Sequence, residues 1–292
     1  MKFWIHTYGC QMNVRDSEAV EALLVAAGHE KASCEDDARL VIVNSCTVRQ
    51  KAEEKAVGKA GYLTATDRIV GLMGCAVKRM GGDVFKRLPR LDFAVGPRSY
   101  GLIPKIVADG RYPRLEIGDD IDSGALSAHA EDGFRSFVTI LVGCDNRCSY
   151  CIVPDVRGHE FSRPAREIVA EISSLAAHGV KEVCLLGQSV LRYGVANAAW
   201  DGKDAPSPGG YVEPFPRLLE AVAAIPGIER IVHVRASEGV HRRAREGLPR
   251  VSAALPPHTS PSAVRLGQDP RRHGASLHER RISFGRREAA GV

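Results

Sequence analysis

Three cysteines close together in the chain are the residues best suited to chemistry. Cys144, Cys148 and Cys151 stand in the run Gly143-Cys144-Asp145-Asn146-Arg147-Cys148-Ser149-Tyr150-Cys151, with three and then two residues between them. One tight loop can fold thiolates at that spacing around a single iron–sulfur cluster, for which cysteine is the usual ligand. Three ligands leave one iron of a 4Fe-4S cluster without a protein partner, so a small molecule can bind there. The alternative is a zinc site completed by a distant fourth ligand, although zinc knuckles more often carry their cysteines in pairs on separate loops.

A second set is dispersed. Cys10, Cys46 and Cys75 each follow a predicted strand, in Thr7-Tyr8-Gly9-Cys10, Val43-Asn44-Ser45-Cys46 and Met73-Gly74-Cys75. In a parallel α/β sheet the loops at the carboxyl ends of the strands gather on one edge. Three cysteines placed there can converge on a second cluster. Any one of them alone reads as a small buried hydrophobe; their shared topological position is what points to a common site. Cys34 lies in a polar loop, and Cys184 sits inside an apolar strand and reads as core.

The elements that must position these residues alternate between strand and helix periods. Lys2–Tyr8, Leu40–Asn44, Ile69–Met73 and Asp92–Val95 read as strands. Between them fall a helix capped by Asp16 or Ser17, with Val20, Leu23, Leu24 and Ala27 on its apolar face and its end near Gly28, and a second helix over Arg49–Tyr62. Repeated units of this kind predict a parallel sheet covered by helices. Residues 108–135 are rich in Asp, Gly, Ser and Pro and read as a linker. A second series follows: strands at Phe137–Val142, Val183–Leu186 and Ile228–Val234, a helix opened by Pro164 that carries Ile168, Ile172, Leu175 and Ala176 and closes at Gly179, and a helix over Pro216–Ile225. The expected organisation is therefore 1–107, a linker at 108–135, a second domain at 136–239, and a tail at 240–292.

Composition is that of a globular chain, with 44% hydrophobic and 26% charged residues over 292 positions. No apolar run is long enough to span a membrane, and the first residues lack the pattern of a secretory leader, so the cytoplasm is the expected location. There, eight cysteines imply metal ligation rather than disulfides. The net charge of +5 is uneven. Residues 240–292 hold eleven Arg, no Lys and four acids, or +7, which leaves 5 − 7 = −2 for the other 239 residues. The body of the protein is therefore not a basic nucleic-acid-binding surface by composition.

The combined motifs resemble the tRNA methylthiotransferases. Thr7-Tyr8-Gly9-Cys10-Gln11-Met12-Asn13 with Asp16-Ser17-Glu18 is similar to the opening of that family, and Asn44-Ser45-Cys46-Thr47-Val48-Arg49 and Gly74-Cys75 to its next two ligand segments. Tyr150-Cys151-Ile152-Val153-Pro154, Arg157-Gly158-His159-Glu160-Phe161-Ser162-Arg163-Pro164 and Leu185-Leu186-Gly187-Gln188 continue the likeness, which spans roughly residues 2–232. Asp155-Val156 and Ser189-Val190-Leu191 depart from the family's usual Tyr-Thr and Asn-Val-Asn.

The resemblance implies an α/β fold: a parallel α/β domain of the methylthiotransferase N-terminal type, then a partial radical S-adenosylmethionine (SAM) (β/α) barrel, then an irregular tail. It implies two 4Fe-4S clusters and SAM as cofactors. The cluster on Cys144, Cys148 and Cys151 would bind SAM and cleave it to a 5′-deoxyadenosyl radical, and the cluster on Cys10, Cys46 and Cys75 would carry the sulfur for transfer. Gln11-Met12-Asn13 favours the branch acting on isopentenylated adenosine beside the tRNA anticodon; the branches acting on threonylcarbamoyl-adenosine and on a ribosomal protein aspartate are the alternatives. Arg157, Glu160, Arg163 and Gln188 are candidates for contact with SAM or with substrate phosphates, and Tyr150 for packing on the cluster, against the plainer reading of a solvated loop. No catalytic acid or base stands out. The expected partners are the tRNA anticodon stem-loop and an electron donor, the chain acting as a monomer and away from membranes.

The family's further barrel units and its small RNA-binding domain are not visible after about residue 234. The change to Arg without Lys, with Pro, Ser, Ala and Gly, is the composition of a GC-rich gene read out of frame, and such a tail is expected to be disordered. The competing expectations are a basic tail that contacts RNA phosphates and a chain that binds clusters without turning over, or a non-catalytic metal-binding module.

Overall fold

The computed structural model describes residues 1–120, 122–127, 133–200 except 198, 213–235 and 278–283. Two compact units are present: 1–131 with 142–161, and 132–141 with 162–292.

The first unit is built on six strands: β1 (Lys2–Tyr8), β2 (Glu30–Lys31), β3 (Leu40–Ser45), β4 (Ile69–Met73), β5 (Phe93–Val95) and β6 (Arg114–Glu116). Their order is β2-β1-β3-β4-β5-β6, and every pairing is parallel. β3 is buried throughout, which its unbroken apolar run requires of a central strand. Helices α1 (Gln11–Ala26), α2 (Gln50–Leu63), α3 (Cys75–Met80), α4 (Asp83–Arg87), α5 (Ile103–Asp109) and α6 (Ser123–Ser127) fill the connections. Val41, Val43, Val70, Leu72 and Ala94 form a core with Ala56, Ala60 and Leu63 of α2 and Val77 of α3. The alternate residue Asn44 turns to the opposite face and hydrogen-bonds α1. Helices thus cover both faces of the sheet.

Three details differ from expectation. α1 begins at Gln11 with Cys10 as its cap, so Asp16 and Ser17 are not caps but buried residues inside the helix. The segment expected as a linker contains β6 and α6. Arg114-Leu115-Glu116 has a single large apolar residue, too little to read as a strand, yet it completes the sheet edge by pairing with Phe93–Val95. The cysteine loop belongs to the first unit, which also holds α7 (Val153–Arg157).

In the second unit β7 is Arg135–Thr139, shorter than the strand expected over 137–142. Ile140 N still donates to Leu186 O at 2.9 Å, and the chain then forms β8 (Leu141–Val142), which pairs with β9 (Phe161–Ser162). Helix α8 (Ala165–Ala177), strand β10 (Glu182–Leu186), helix α9 (Pro214–Ala223) and strand β11 (Arg230–Arg235) follow. β7, β10 and β11 are parallel. Ile168, Ile172 and Leu175 of α8 and Phe215, Leu218, Leu219 and Val222 of α9 close on Val138, Val183, Leu185 and Ile231, the 3.6-residue stripe that a covering helix must present. Of residues 240–292 the structure describes only β12 (His278–Ser283), a strand antiparallel to β11 with Ile231 opposite Ile282. That strand was not anticipated; the remaining residues of the expected tail lie outside those described.

Leu72 is fully buried in β4, between α2 and α3. Leu72→Ala is expected to lower the unfolding free energy by about 2–5 kcal/mol, measured by urea denaturation of the apo chain. A change below 1 kcal/mol would show that this core is not tightly packed.

Candidate metal centre

The carboxyl edge of the first sheet gathers the dispersed cysteines. Tyr8, the last residue of β1, lies opposite Ser45 of β3, and Asn44 lies opposite Met73 of β4. Cys10, Cys46 and Cys75 follow these three adjacent strands by one or two residues. β2 lies on one side of β1 and all later strands on the other, so the winding reverses between β1 and β3, the place where parallel sheets of this order open a crevice for ligands. Cys10 and Cys46 flank that point, and Cys10 Sγ donates to Asn13 Oδ1 at 3.3 Å.

A buried amide knot sets the edge. Asn44 Nδ2 donates to Asn13 O at 2.7 Å and to Ser17 Oγ at 2.9 Å, while Asn13 Nδ2 donates to Asn44 Oδ1 at 3.1 Å. Ser17 Oγ also meets Thr7 Oγ1 at 2.8 Å, and Cys10 N donates to Asn13 Oδ1 at 3.2 Å. Both asparagines have no exposed surface, so these bonds replace those that water would make. Gly74 has φ +99, and a Cβ there would come within 2.6 Å of Ser45 O; only glycine lets the chain turn this tightly from β4 into Cys75. Glu53 joins one of these loops to a helix. It accepts from Thr47 Oγ1 at 2.7 Å and from Arg79 Nε at 3.0 Å, and so ties the turn after Cys46 to α3, which begins at Cys75. Burial would raise the Glu53 pKa, but the bonds from Arg79 and Thr47 outweigh it and hold the carboxyl below its usual range.

The sulfurs differ in how far their surroundings favour the anion. The Cys10 thiol is lowered to about 5, first by the Cys46 hydrogen bond, with burial opposing and the Arg157 charge and the backbone N–H groups of Asn13 and Met12 assisting. Its partner Cys46 moves the other way, pushed up by that shared bond and by burial. Burial raises Cys75 and Cys144. Backbone N–H groups also favour the anion at Cys46, from Arg49 and Val48, and at Cys144, from Asn146. N–H groups directed at sulfur are the donors that tune thiolate-bound clusters. Among the described residues no three His, Cys, Asp or Glu side chains are drawn tightly enough to chelate a single ion. The donor chemistry, all thiol and no imidazole, suits an iron–sulfur cluster and a zinc ion alike.

Arg157 joins this group. It is the last residue of α7, six positions after Cys151, and is 4% exposed. Its Nη2 and Nη1 meet the Asp16 carboxylate at 2.7 and 3.4 Å, and its Nε donates to Cys75 Sγ at 3.1 Å. Burial works against the cation, but the charges of Asp16 and Cys75 outweigh it and hold its pKa well above the ordinary guanidinium value. Burial pushes the Asp16 carboxyl up, opposed by the facing guanidinium. The sequence alone suggests Asp16 as a helix cap and Arg157 as a contact for SAM or phosphate and gives no sign of the pair, because a lone acid and a lone Arg separated by 141 positions carry no local signal.

The Cys144–Cys151 loop is closed at its neck. Cys144 N donates to Gly158 O at 3.1 Å, and Cys151 N to Cys148 O at 3.0 Å. Gly143 has φ +79, and its Cα faces the carbonyls of Gly158 and His159 so closely that any side chain would collide with them. Arg98 grips the same turn, donating to Arg157 O at 2.7 Å and to His159 O. Asp145 accepts from Glu160 N at 3.3 Å and meets His159 Nδ1 at 3.0 Å.

The other candidates are placed as follows. Tyr150 is 78% exposed, and Glu160 is buried in the first unit. In the second unit Arg163 has no exposed surface. It donates to Thr139 O and to Glu171 Oε2, both at 2.7 Å, and its own carbonyl accepts from Tyr193 Oη at 2.7 Å. Gln188 follows β10 at the carboxyl end of that strand. Cys184 is buried in β10 and Cys34 is exposed.

Comparison with known proteins defines the class first. Residues 2–96 match the family described as "Uncharacterized protein family UPF0004", and residues 138–241 match the radical SAM superfamily; the chain therefore carries a radical SAM enzyme domain behind a UPF0004 domain. More particularly, the chain is a homologue of curated proteins named tRNA-2-methylthio-N(6)-dimethylallyladenosine synthase. It is 41% identical to that of Akkermansia muciniphila over 79% of this chain and 54% of the relative, 37% to that of Maricaulis maris over 79% and 52%, and 42% to that of Geobacter metallireducens over 78% and 51%. The chain spans about half the length of these relatives. Among solved structures, a radical S-adenosylmethionine methyltransferase of Kitasatospora setae aligns with a TM-score of 0.47 at 15% identity, over 76% of this chain and 57% of the other.

The Asp16–Arg157 pair generates a stability test. Asp16→Ala leaves a buried guanidinium without its carboxylate and is expected to cost about 3–5 kcal/mol, whereas Asp16→Ala with Arg157→Met is expected to cost less than the two single changes added together. Denaturant unfolding of the four apo proteins measures the coupling. Strict additivity would mean that the pair contributes no interaction energy.

Proposed function

We propose that this chain is a radical SAM methylthiotransferase that adds a methylthio group to an isopentenylated adenosine beside the tRNA anticodon. The convergence of Cys10, Cys46 and Cys75 on one sheet edge, in the same unit as the Cys144–Cys151 loop, is the observation that carries this reading. The names of the relatives support the substrate. Cys144, Cys148 and Cys151 are the proposed ligands of the SAM-binding 4Fe-4S cluster, and Cys10, Cys46 and Cys75 those of an auxiliary one. When bound, these groups supply reductive SAM cleavage and the sulfur to be transferred.

The chain's own residues supply geometry and electrostatics. Gly143 and Arg98 hold the neck of the loop that carries the three thiols. Asn13, Asn44 and Glu53 hold the dispersed cysteines at their strand ends. The proposed partners are the tRNA anticodon stem-loop and a one-electron donor, with the chain acting as a monomer in the cytoplasm; among the described residues no helix is long and apolar enough to cross a membrane. Tyr150, Glu160 and Gln188 are proposed as SAM-side or substrate-side residues. Arg163, by contrast, is proposed to act through Thr139 and Glu171 rather than by direct contact, because its guanidinium is already engaged with both.

A second reading, cluster binding without turnover, is favoured by one observation. In the described residues of the second unit only three strands are parallel, and the sheet continues with the antiparallel β12. Formation of 5′-deoxyadenosine from SAM by the reduced protein separates the readings: its presence supports the enzyme, and its absence with full cluster content supports the binder.

Cluster content tests the ligand assignment. After anaerobic reconstitution, iron and acid-labile sulfide are expected at about eight each per chain, falling to about four in the Cys144→Ala, Cys148→Ala, Cys151→Ala triple variant, as two four-iron sites require. Zinc in place of iron, or equal loss of all iron in the triple variant, would sink the two-site assignment.

A further inference from the structure

Arg157 occupies a position that the assignment of cluster ligands leaves unexplained. It belongs to the hairpin that carries Cys144, Cys148 and Cys151, yet its side chain is spent on the other cysteine set. A guanidinium presents its N–H groups in a rigid planar fork. Here the terminal nitrogens are taken by Asp16, and that contact aims Nε at Cys75 Sγ, 3.1 Å away. Asp16, Arg157 and Cys75 are 2%, 4% and 5% exposed, so solvent and salt screen the contact little. The backbone at Arg157 is equally fixed, its carbonyl held by Arg98 Nε at 2.7 Å.

We propose that Arg157 is a positioning residue of the auxiliary cysteine site: anchored on Asp16, it gives Cys75 a fixed cationic N–H donor and thereby raises the reduction potential of the cluster held by Cys10, Cys46 and Cys75. This rests on the reading of those cysteines as cluster ligands. Taking up one electron adds negative charge that spreads over the cluster sulfurs. A charge-assisted N–H···S bond stabilises that reduced form more than the oxidised one, and removing the donor makes reduction harder. The consequence is a direct link between the two cysteine sets: the hairpin that holds one set determines how readily the other accepts an electron.

The test uses the full chain with Cys144, Cys148 and Cys151 replaced by Ala, so that only the auxiliary site is loaded. The midpoint potential is read by redox titration monitored by electron paramagnetic resonance. It is compared among Arg157 itself, Arg157→Gln, Arg157→Lys and the charge-neutral double variant Asp16→Asn with Arg157→Gln, which keeps the measurement possible if the single Gln variant folds poorly. The expected result is about four irons per chain throughout. The potential should move negative in both Gln variants by at least a tenfold shift in the one-electron equilibrium, about 59 mV, and by less in Arg157→Lys, which keeps the charge but not the fork. Four irons with an unchanged potential would overturn the proposal and leave the ligand assignment standing. Absence of iron from the cysteine triple variant with Arg157 intact would overturn the ligand assignment, and the proposal with it.

Discussion

Parallel pairing of β3 with β1 on one side and β4 on the other is the constraint on which the site depends. The register places Tyr8 against Ser45 and Asn44 against Met73, so three chain segments far apart in sequence leave the sheet at one level. A slip of one residue in β3 would turn Asn44 to the face occupied by Val41 and Val43. It would also break the amide bonds to Asn13 and Ser17 that hold α1, and with it Cys10, at the edge. The hydrophobic core and the placement of the candidate metal ligands are therefore specified by the same alternation of side chains.

Charge is the second organising term. The first unit keeps an acid and a base deeply buried at Asp16 and Arg157, and a half-buried network around Glu53. An ion pair inside a protein is weak evidence of stabilisation, because desolvation offsets the Coulomb gain. What these pairs do is orient. Asp16 turns a guanidinium toward Cys75, and Glu53 joins the turn that follows Cys46 to Arg79 of α3. Arg163 plays a comparable part in the second unit, spanning from the end of β7 to α8.

The sequence was legible where residues report on themselves. The central strands β3 and β4 appear as apolar runs, α8 and α9 as stripes at helical spacing, and the cysteine loop as a fixed motif. The strand-end positions of Cys10, Cys46 and Cys75 followed from strand prediction plus the rule for parallel sheets. What could not be read were features whose meaning lies in a distant partner. Asp16 looked like a helix cap because an acid before an apolar stripe usually is one, and only the fold reveals Arg157 beside it. Arg163 and Glu171 are eight positions apart, yet neither advertises that the guanidinium is fully buried. β6 and β12 are edge strands of mixed composition, defined by the strand they join rather than by their own residues.

The closed neck of the Cys144–Cys151 loop bears on when the chain loses its freedom. With Gly143 pressed against the carbonyls of Gly158 and His159, and Cys144 N bonded to Gly158 O, the loop has already surrendered the closure entropy that an open chain would lose on gathering its ligands. Whatever the three cysteines hold would therefore meet a chain path already fixed at both ends, and the entropy lost on gathering the ligands belongs to folding rather than to binding.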